Sequence, residues 1–261
     1  MQRDEWFRAV WLQTKQLPKN TFSATTRLFL RQPCPICDRP THQTFCTDCD
    51  HQIQDNCRAT VHQTQHTTTT TGISIHTLGT YLGTLMQALS ALKYNNRSDI
   101  AKTLGTALGL RWPAHYKQLL ERAAQTKNKS SSRTVRPYVI PIPLHPNRKA
   151  QRGYNQAELI GKAYCQASGL PLLAHGLCRV QDTLPQHQLG RVSRQDNLRH
   201  AFHAGSQLQT LCRRKAAPIE ILLIDDIYTT GATMQTAAAA LKGLPVTVVG
   251  ILSIARAVQH T

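Results

Sequence analysis

The apolar residues of this chain follow two patterns, one typical of helices and one typical of buried strands. From Tyr81 to Leu110, apolar residues recur every three or four positions, and Asn95-Asn96 interrupts the pattern, which predicts two helices. Similar spacing predicts further helices at Gln156–Ser168 and Met234–Leu241.

Three other runs are predominantly apolar and too short for typical helices, so they predict strands buried within a sheet. They are Tyr138–Pro143, Ile221–Ile224 and Val246–Ile254. Because strands and helices alternate along the chain, we predict an α/β fold with a mostly parallel sheet flanked by helices.

The composition divides the chain into four parts. Residues 1–30 mix aromatic and polar residues and are predicted to form a helical segment that packs on the rest. Residues 31–60 hold a small cysteine-rich module, and residues 61–75, which include five consecutive threonines, predict a linker. Residues 76–261 contain the alternating elements of the α/β domain.

Two adjacent acidic residues, Asp225 and Asp226, directly follow the apolar run at Ile221–Ile224. Ligands bind at the carboxyl ends of strands in open α/β sheets, so both carboxylates are expected at such an edge. The turn Thr229-Thr230-Gly231-Ala232-Thr233 then leads into the helix predicted from Met234, and a helix N-terminus offers N–H groups to a phosphate. A capped helix without a ligand is the alternative, but the neighbouring carboxylates favour a phosphosugar site.

Four cysteines form two C-x2-C pairs separated by eight residues: Cys34, Cys37, Cys46 and Cys49. Two such pairs supply the four thiolates of a tetrahedral structural zinc site, and a module this small needs a metal to be stable. A redox C-x2-C pair usually occurs singly in a thioredoxin-like unit, which the surrounding pattern does not predict. The predicted zinc site therefore has no open position for catalysis.

Basic residues are concentrated in the middle of the chain. The 31 lysines and arginines outnumber 14 acidic residues, and residues 111–215 alone contain 18 basic and four acidic residues, a net of +14. This concentration indicates a polyanionic partner such as nucleic acid, with a solvated basic face as the alternative. The chain has no run of 18 apolar residues and no signal-peptide pattern, so we expect a cytoplasmic protein without a membrane span.

The stretch from Ile221 to Thr233 resembles the signature of the type I phosphoribosyltransferases, which bind 5-phosphoribosyl-1-pyrophosphate. The resemblance implies that Asp225 and Asp226, as candidate catalytic residues, hold the ribose hydroxyls, and that residues 229–233 cradle the 5-phosphate. It also implies that the loop after the strand at Tyr138–Pro143 binds pyrophosphate. The candidate ligand-binding residues there are His145, Arg148, Lys149 and Arg152. Mg²⁺ is expected only as a partner of the pyrophosphate group.

Further segments resemble the ComF family of competence proteins, of the ComFC type. They are the four-cysteine cluster, Leu92-Lys93-Tyr94, the stretch Val139–Ile160 that contains Arg-Gly-Tyr-Asn-Gln, and the segment from Gln188 through Arg191, Arg194 and Asn197 to Phe202. The resemblance implies a type I phosphoribosyltransferase-like fold and a role in natural transformation. The implied partners are single-stranded DNA, a DNA-translocating helicase and a recombination mediator.

Two roles within these segments stay open in the sequence. Arg191 and Arg194 are placed to meet either pyrophosphate or a nucleic-acid backbone. Tyr154, in the Arg-Gly-Tyr-Asn-Gln stretch, either stacks on a base or packs within the protein.

Three functional hypotheses follow. The first is a ComF-like protein that handles single-stranded DNA and binds 5-phosphoribosyl-1-pyrophosphate or a related phosphosugar. The second is an active phosphoribosyltransferase, although no acceptor site is identifiable and enzymatic activity stays open. The third is an interaction scaffold in which the zinc module docks a partner protein.

Overall fold

The computed structural model describes residues 31–63, 69, 72–116, 136–179, 201–215 and 217–257. Within them the strands are β1 (Gln32–Pro33), β2 (Pro40–Thr41), β3 (Ser74–Thr80), β4 (Tyr138–Pro141), β5 (Leu177–Arg179), β6 (Phe202–Ala204), β7 (Ile219–Tyr228) and β8 (Val246–Arg256). The helices are α1 (Thr47–Gln63), α2 (Gly83–Tyr94), α3 (Asp99–Gly109), α4 (Pro146–Arg152), α5 (Gln156–Ser168), α6 (Ser206–Arg214) and α7 (Ala232–Ala239), and residues 112–116 are also helical. The segment predicted at residues 1–30 lies outside the described residues, as do residues 64–68, 70 and 71 of the predicted linker.

The central sheet has four strands in the order β3-β8-β7-β4, and every neighbouring pair is parallel. Two short antiparallel pairs, β1 with β2 and β5 with β6, lie outside this sheet. The architecture confirms the predicted α/β fold with a parallel sheet flanked by helices. None of the described helices combines the length and apolarity required to span a bilayer.

Both faces of the sheet are buried, as the continuous apolar run in β7 predicts. Leu222 and Ile224 belong to the core on the side of α1, α2, α3 and α5, whereas Ile221 and Leu223 belong to the core that includes residues of α6 and α7. Successive side chains of a strand point to opposite faces, so a strand covered on both sides must be apolar at every position.

The two helices predicted between Tyr81 and Leu110 are present as α2 and α3, and α5 has the predicted bounds Gln156–Ser168. Several other boundaries differ. The strand predicted at Ile221–Ile224 runs from Ile219 to Tyr228, and the helix predicted from Met234 begins at Ala232. The sequence interpretation missed β3, whose residues are nearly all buried although several are polar.

The cysteine-rich module packs directly against the sheet domain. Cys49, Ile53 and Cys57 of α1 are buried in the same core as Leu78 of β3 and Leu85 of α2. Asn56 of α1 strengthens this contact, because its side chain accepts from the backbone N–H of Thr80 at 2.8 Å and donates to the Thr80 carbonyl at 3.0 Å. The module therefore shares a core with the α/β body.

Candidate functional site

The two acidic residues lie near the end of β7, at the carboxyl edge of the sheet. Asp225 is in register with Ser253 of β8, and β7 continues to Tyr228, four residues beyond its last pairing with β4. The pairing of β4 with β7 ends at Pro141, opposite Ile224. Strand β7 therefore extends past β4 where the two carboxylates lie. Such an edge is where open α/β sheets bind ligands.

Asp226 forms an ion pair with Lys93, a residue for which no role at this site is predicted from the sequence. The Nζ atom of Lys93, near the end of α2, lies 2.7 Å from Oδ2 of Asp226, and the two side chains are only 19% and 11% exposed. The contact is a charge-assisted hydrogen bond in a partly buried setting. The Leu92-Lys93-Tyr94 segment is thereby joined to the Asp225-Asp226 pair, 133 positions later in the chain.

The surroundings of Asp225 change the pKa of its carboxyl group. Burial raises the pKa of the Asp225 carboxyl to about 8, and the negative charge of Asp226 adds to this effect. The backbone N–H of Asp226, which donates to Oδ1 of Asp225 at 2.8 Å, opposes it only in part. At neutral pH the Asp225 carboxyl is therefore largely protonated and can donate to a sugar hydroxyl, while the carboxyl oxygens of Asp226 can accept from one.

The turn after the pair is shaped by a close contact between Gly231 and Tyr228. Gly231 has a φ of +79°, and a Cβ atom there would lie 2.3 Å from the hydroxyl oxygen of Tyr228. Glycine is thus required both by its left-handed backbone and by the packed tyrosine. Thr229 and Thr230 are exposed on this turn, and the N–H of Ala232 reaches Oγ1 of Thr230 at 3.4 Å. Helix α7 then starts at Ala232, followed by half-buried Thr233.

The predicted pyrophosphate loop follows β4 and forms helix α4. His145 caps this helix, because its Nδ1 accepts from the N–H of Asn147 at 3.3 Å. Arg148 and Lys149 lie on α4, where Lys149 makes a long contact of 3.5 Å with Glu158 of α5. Arg152 ends the helix and donates to Gln156 at 3.3 Å. The seven residues of α4 include three basic and no acidic residues.

Tyr154 connects this loop to the end of α2. Its hydroxyl donates to the carbonyl of Leu92 at 2.5 Å, and the side chain is half-buried. This contact packs the tyrosine against α2, and the choice between its two predicted roles stays open. Arg152 also connects the loop to the end of α2, because its guanidinium lies 5.4 Å from the ring centroid of Tyr94. Arg191 and Arg194 lie outside the described residues.

The four predicted metal ligands converge. The sulfur atoms of Cys34, Cys37, Cys46 and Cys49 all lie within 4.8 Å of one another. Zinc–sulfur bonds of about 2.3 Å in a tetrahedron place sulfurs about 3.8 Å apart, so the cluster fits such an ion. The backbone turns hold it in shape, because Cys34 and Cys46 accept at their carbonyls from Asp38 and Asp50 N–H groups.

One thiol of the cluster has an arginine beside it that favours its thiolate form, whereas burial raises the pKa of the Cys49 thiol. Nε of Arg39 donates to the Cys37 sulfur at 3.3 Å, and this contact lowers the pKa of Cys37 to about 6. Zinc binds the thiolate form of cysteine, so Arg39 promotes ligation at this position. Cys34 and Cys49 are buried, which makes the cluster part of the protein interior.

The sequence interpretation missed two residues, Lys93 and Tyr228, which contact the acidic pair and the turn at residues 229–233. Lys93 belongs to the segment Leu92-Lys93-Tyr94, which contributes to the family resemblance. That resemblance is the signal in the sequence that could have indicated a functional role for Lys93. Tyr228 is the third residue before Gly231, and its packing against that glycine depends on the extension of β7 beyond the predicted strand end.

No family model matches the chain. Competence protein F from Haemophilus influenzae is 28% identical over 180 residues, which cover 69% of this chain and 71% of that protein. The DNA utilization protein YhgH from Salmonella typhi is 26% identical over 154 residues, and the match spans 59% of each chain, less than two thirds of the relative. Competence protein ComFC from Bacillus subtilis is 23% identical over 209 residues, which are 78% of this chain and 69% of that protein. These relatives confirm that the chain is similar to the ComF-type competence and DNA utilization proteins.

Proposed function

We propose that the protein is a ComF-like competence protein that handles single-stranded DNA in the cytoplasm and binds 5-phosphoribosyl-1-pyrophosphate or a related phosphosugar. The observation that carries the phosphosugar part is the junction of β7 and α7. There the acidic pair at the sheet edge is followed within six residues by exposed threonines, a left-handed glycine and a helix N-terminus. Carboxylates suit sugar hydroxyls, and the N-terminus of a helix suits a phosphate.

The bound phosphosugar would contact two further groups. The basic face of α4, with Arg148, Lys149 and Arg152, is the source of positive charge proposed for a pyrophosphate group. Mg²⁺ would accompany that pyrophosphate, held mainly by phosphate oxygens and water.

The DNA part of the proposal rests on the relatives and on charge. One of these relatives is named a DNA utilization protein, and the net charge of this chain is +17. A helicase and a recombination mediator are proposed as partners on the resemblance alone. Zinc in the cysteine cluster would have a structural role.

Calorimetric titration with 5-phosphoribosyl-1-pyrophosphate and Mg²⁺ tests the phosphosugar site. We expect binding by the wild type and a loss of at least about tenfold in affinity in Asp225→Asn/Asp226→Asn, since one hydrogen bond to a charged group contributes about 1.5–3 kcal/mol. Glu220→Gln, at the opposite end of the same strand, is the matched control and should bind as the wild type does. Equal affinity in all three proteins would remove the site from the proposal.

Titration of a single-stranded oligonucleotide at several salt concentrations tests the DNA part. Phosphate contacts release counterions, so the logarithm of the association constant should fall steeply with the logarithm of the salt concentration. An absence of binding at low salt, or a flat dependence, would refute DNA handling by this chain while leaving the phosphosugar result unaffected.

A second candidate function is a phosphoribosyltransferase, favoured by the raised pKa of Asp225 beside the Lys93–Asp226 ion pair. An amine or base would form a bond to C1 of the ribose while the bond from C1 to the pyrophosphate oxygen breaks and pyrophosphate leaves. The two carboxyl groups would bind the ribose hydroxyls as positive charge develops at C1. Incubation with a panel of bases and amines tests this function, and no pyrophosphate release above that of Asp225→Asn/Asp226→Asn would count against it.

A further inference from the structure

Tyr94 is the most exposed large hydrophobic residue among those the structure describes. Its side chain is 72% exposed at the last position of α2, whereas the neighbouring Leu92 is fully buried. Burying an aromatic ring of this size is favourable, so a ring left this open on an otherwise well-packed helix end is available to a ligand.

The ring is already paired on one side. The guanidinium of Arg152 lies over it, 5.4 Å from the ring centroid. Arg152 also donates to Gln156, which fixes the direction of its side chain. A ring covered by a cation on one face and exposed over most of its surface offers its other face to a second planar group.

The end of α2 that carries Tyr94 is held in place by contacts on both of its preceding residues. The Leu92 carbonyl accepts from the Tyr154 hydroxyl at 2.5 Å, and Lys93 pairs with Asp226 at 2.7 Å. A platform fixed in this way loses little conformational entropy when a ligand binds. The helix that carries Arg152 also carries Arg148 and Lys149 and has no acidic residue of its own, although Lys149 contacts Glu158 of α5 at 3.5 Å.

From this arrangement we infer that Tyr94 and Arg152 form a stacking platform for an unpaired base of single-stranded DNA, with the adjoining basic residues of α4 contacting its phosphates. This inference rests on the proposed DNA handling and gives it a location. Stacking on an open ring face requires an unpaired base, because the faces of paired bases are covered by their neighbours in a duplex. Every base has such a face, so the platform does not select sequence.

Binding to two oligonucleotides of equal length, one of thymidines and one abasic, isolates the contribution of stacking from that of charge. Both carry the same phosphates, and only the first has bases. Anisotropy titrations with Tyr94→Leu should show an affinity for the thymidine strand lower by about 5- to 100-fold than that of the wild type, and an unchanged affinity for the abasic strand. Tyr94→Phe should retain the wild-type affinity for both.

Two further variants complete the test. Met86→Ala removes another exposed apolar side chain from the same helix, and it should leave both affinities unchanged. Arg152→Gln should weaken binding to both strands and reduce the salt dependence by about one phosphate contact. Thermal denaturation of each variant reports whether it is folded.

The possible results separate this inference from the proposed function. If the wild type binds neither strand, DNA handling and the platform are both wrong. If the wild type binds and Tyr94→Leu binds equally well, or loses equal affinity for both strands, the platform alone is wrong. A change confined to self-association, measured by sedimentation, would make this surface a protein interface and would also overturn the inference.

Discussion

The ammonium of Lys93 lies 2.7 Å from the carboxylate of Asp226, which joins the end of α2 to the carboxyl end of β7. Both side chains are largely buried, so neither charge is well solvated without the other. Removing one partner from such a pair is costly mainly because it leaves the other charge uncompensated. This contact ties the candidate ribose-binding residue to the fold.

We expect Lys93→Met to lower the free energy of unfolding by about 1–3 kcal/mol in urea at pH 7, a range reduced for the partial exposure of the pair. Asp226→Asn should also destabilise the protein. The double variant should lose less than the sum of the two, because its second change removes a charge that the first has left alone. Lys102→Met, an exposed lysine on α3, is the control and should change stability by less than about 0.5 kcal/mol. Strictly additive losses would show that the ion pair does not contribute.

The raised pKa of Asp225 predicts a specific dependence of stability on pH. The folded protein holds this proton up to about pH 8, whereas an aspartate in the unfolded chain releases it near pH 4. Between these values the unfolded state binds fewer protons than the folded state, so this group's contribution to stability falls as pH rises.

The variant Asp225→Asn carries no titrating group at this position. The unfolding free energy of the wild type relative to that of the variant should therefore fall by more than about 1 kcal/mol between pH 5 and pH 8. Urea denaturation of both proteins across this range measures the difference. If the two curves stay parallel, the carboxyl is ionised throughout and the proposed division of roles between Asp225 and Asp226 fails.

The contact between Gly231 and Tyr228 makes the turn at residues 229–233 sensitive to a single methyl group. Gly231→Ala introduces a left-handed alanine and places its Cβ against the tyrosine ring, whereas Gly243→Ala introduces the left-handed strain with nothing within 4 Å. We expect a loss of about 1 kcal/mol for Gly243→Ala and a clearly larger loss for Gly231→Ala. Tyr228→Phe removes the nearest atom and should recover part of the difference. Equal losses for the two alanine variants would mean that Tyr228 does not constrain the turn.

The elements that sequence reasoning predicted well are those whose signals are local. Helix α5 begins after Asn155, whose side chain accepts from the N–H of Ala157, and ends before Gly169 in the left-handed conformation. Such capping signals stand next to the helix that they bound. The run Ile221–Ile224 likewise indicates a strand buried on both faces without reference to any other segment.

The parts that were missed depend on contacts between distant segments. Strand β3 includes His76 and Thr77, which are polar yet buried. Its sequence therefore lacks the continuous apolar run that predicts a buried strand. The extension of β7 to Tyr228 is stabilised by pairing with β8 as far as Arg256, and the approach of Lys93 to Asp226 follows from the placement of α2 on the sheet. The segment with Arg191 and Arg194 lies outside the described residues, so their predicted role stays a prediction.

Metal removal should affect the whole described domain. Cys34 and Cys49 are buried in the core that also contains Leu78 of the central sheet, so a change at the cluster is transmitted to the sheet. We expect about one zinc per chain by mass spectrometry of the metal, and its loss in Cys34→Ser. Thermal unfolding of that variant should remain a single transition with a midpoint lower by several degrees, since structural zinc contributes folding free energy.

The exposed Cys178 on β5 provides the matched control for the cluster. Cys178→Ser removes a thiol that lies outside the group of four, so its zinc content and melting temperature should equal those of the wild type. Two separate transitions in Cys34→Ser would indicate an independent module, contrary to the shared core. Retention of zinc and of the wild-type midpoint would instead show that the four thiols hold no structural metal.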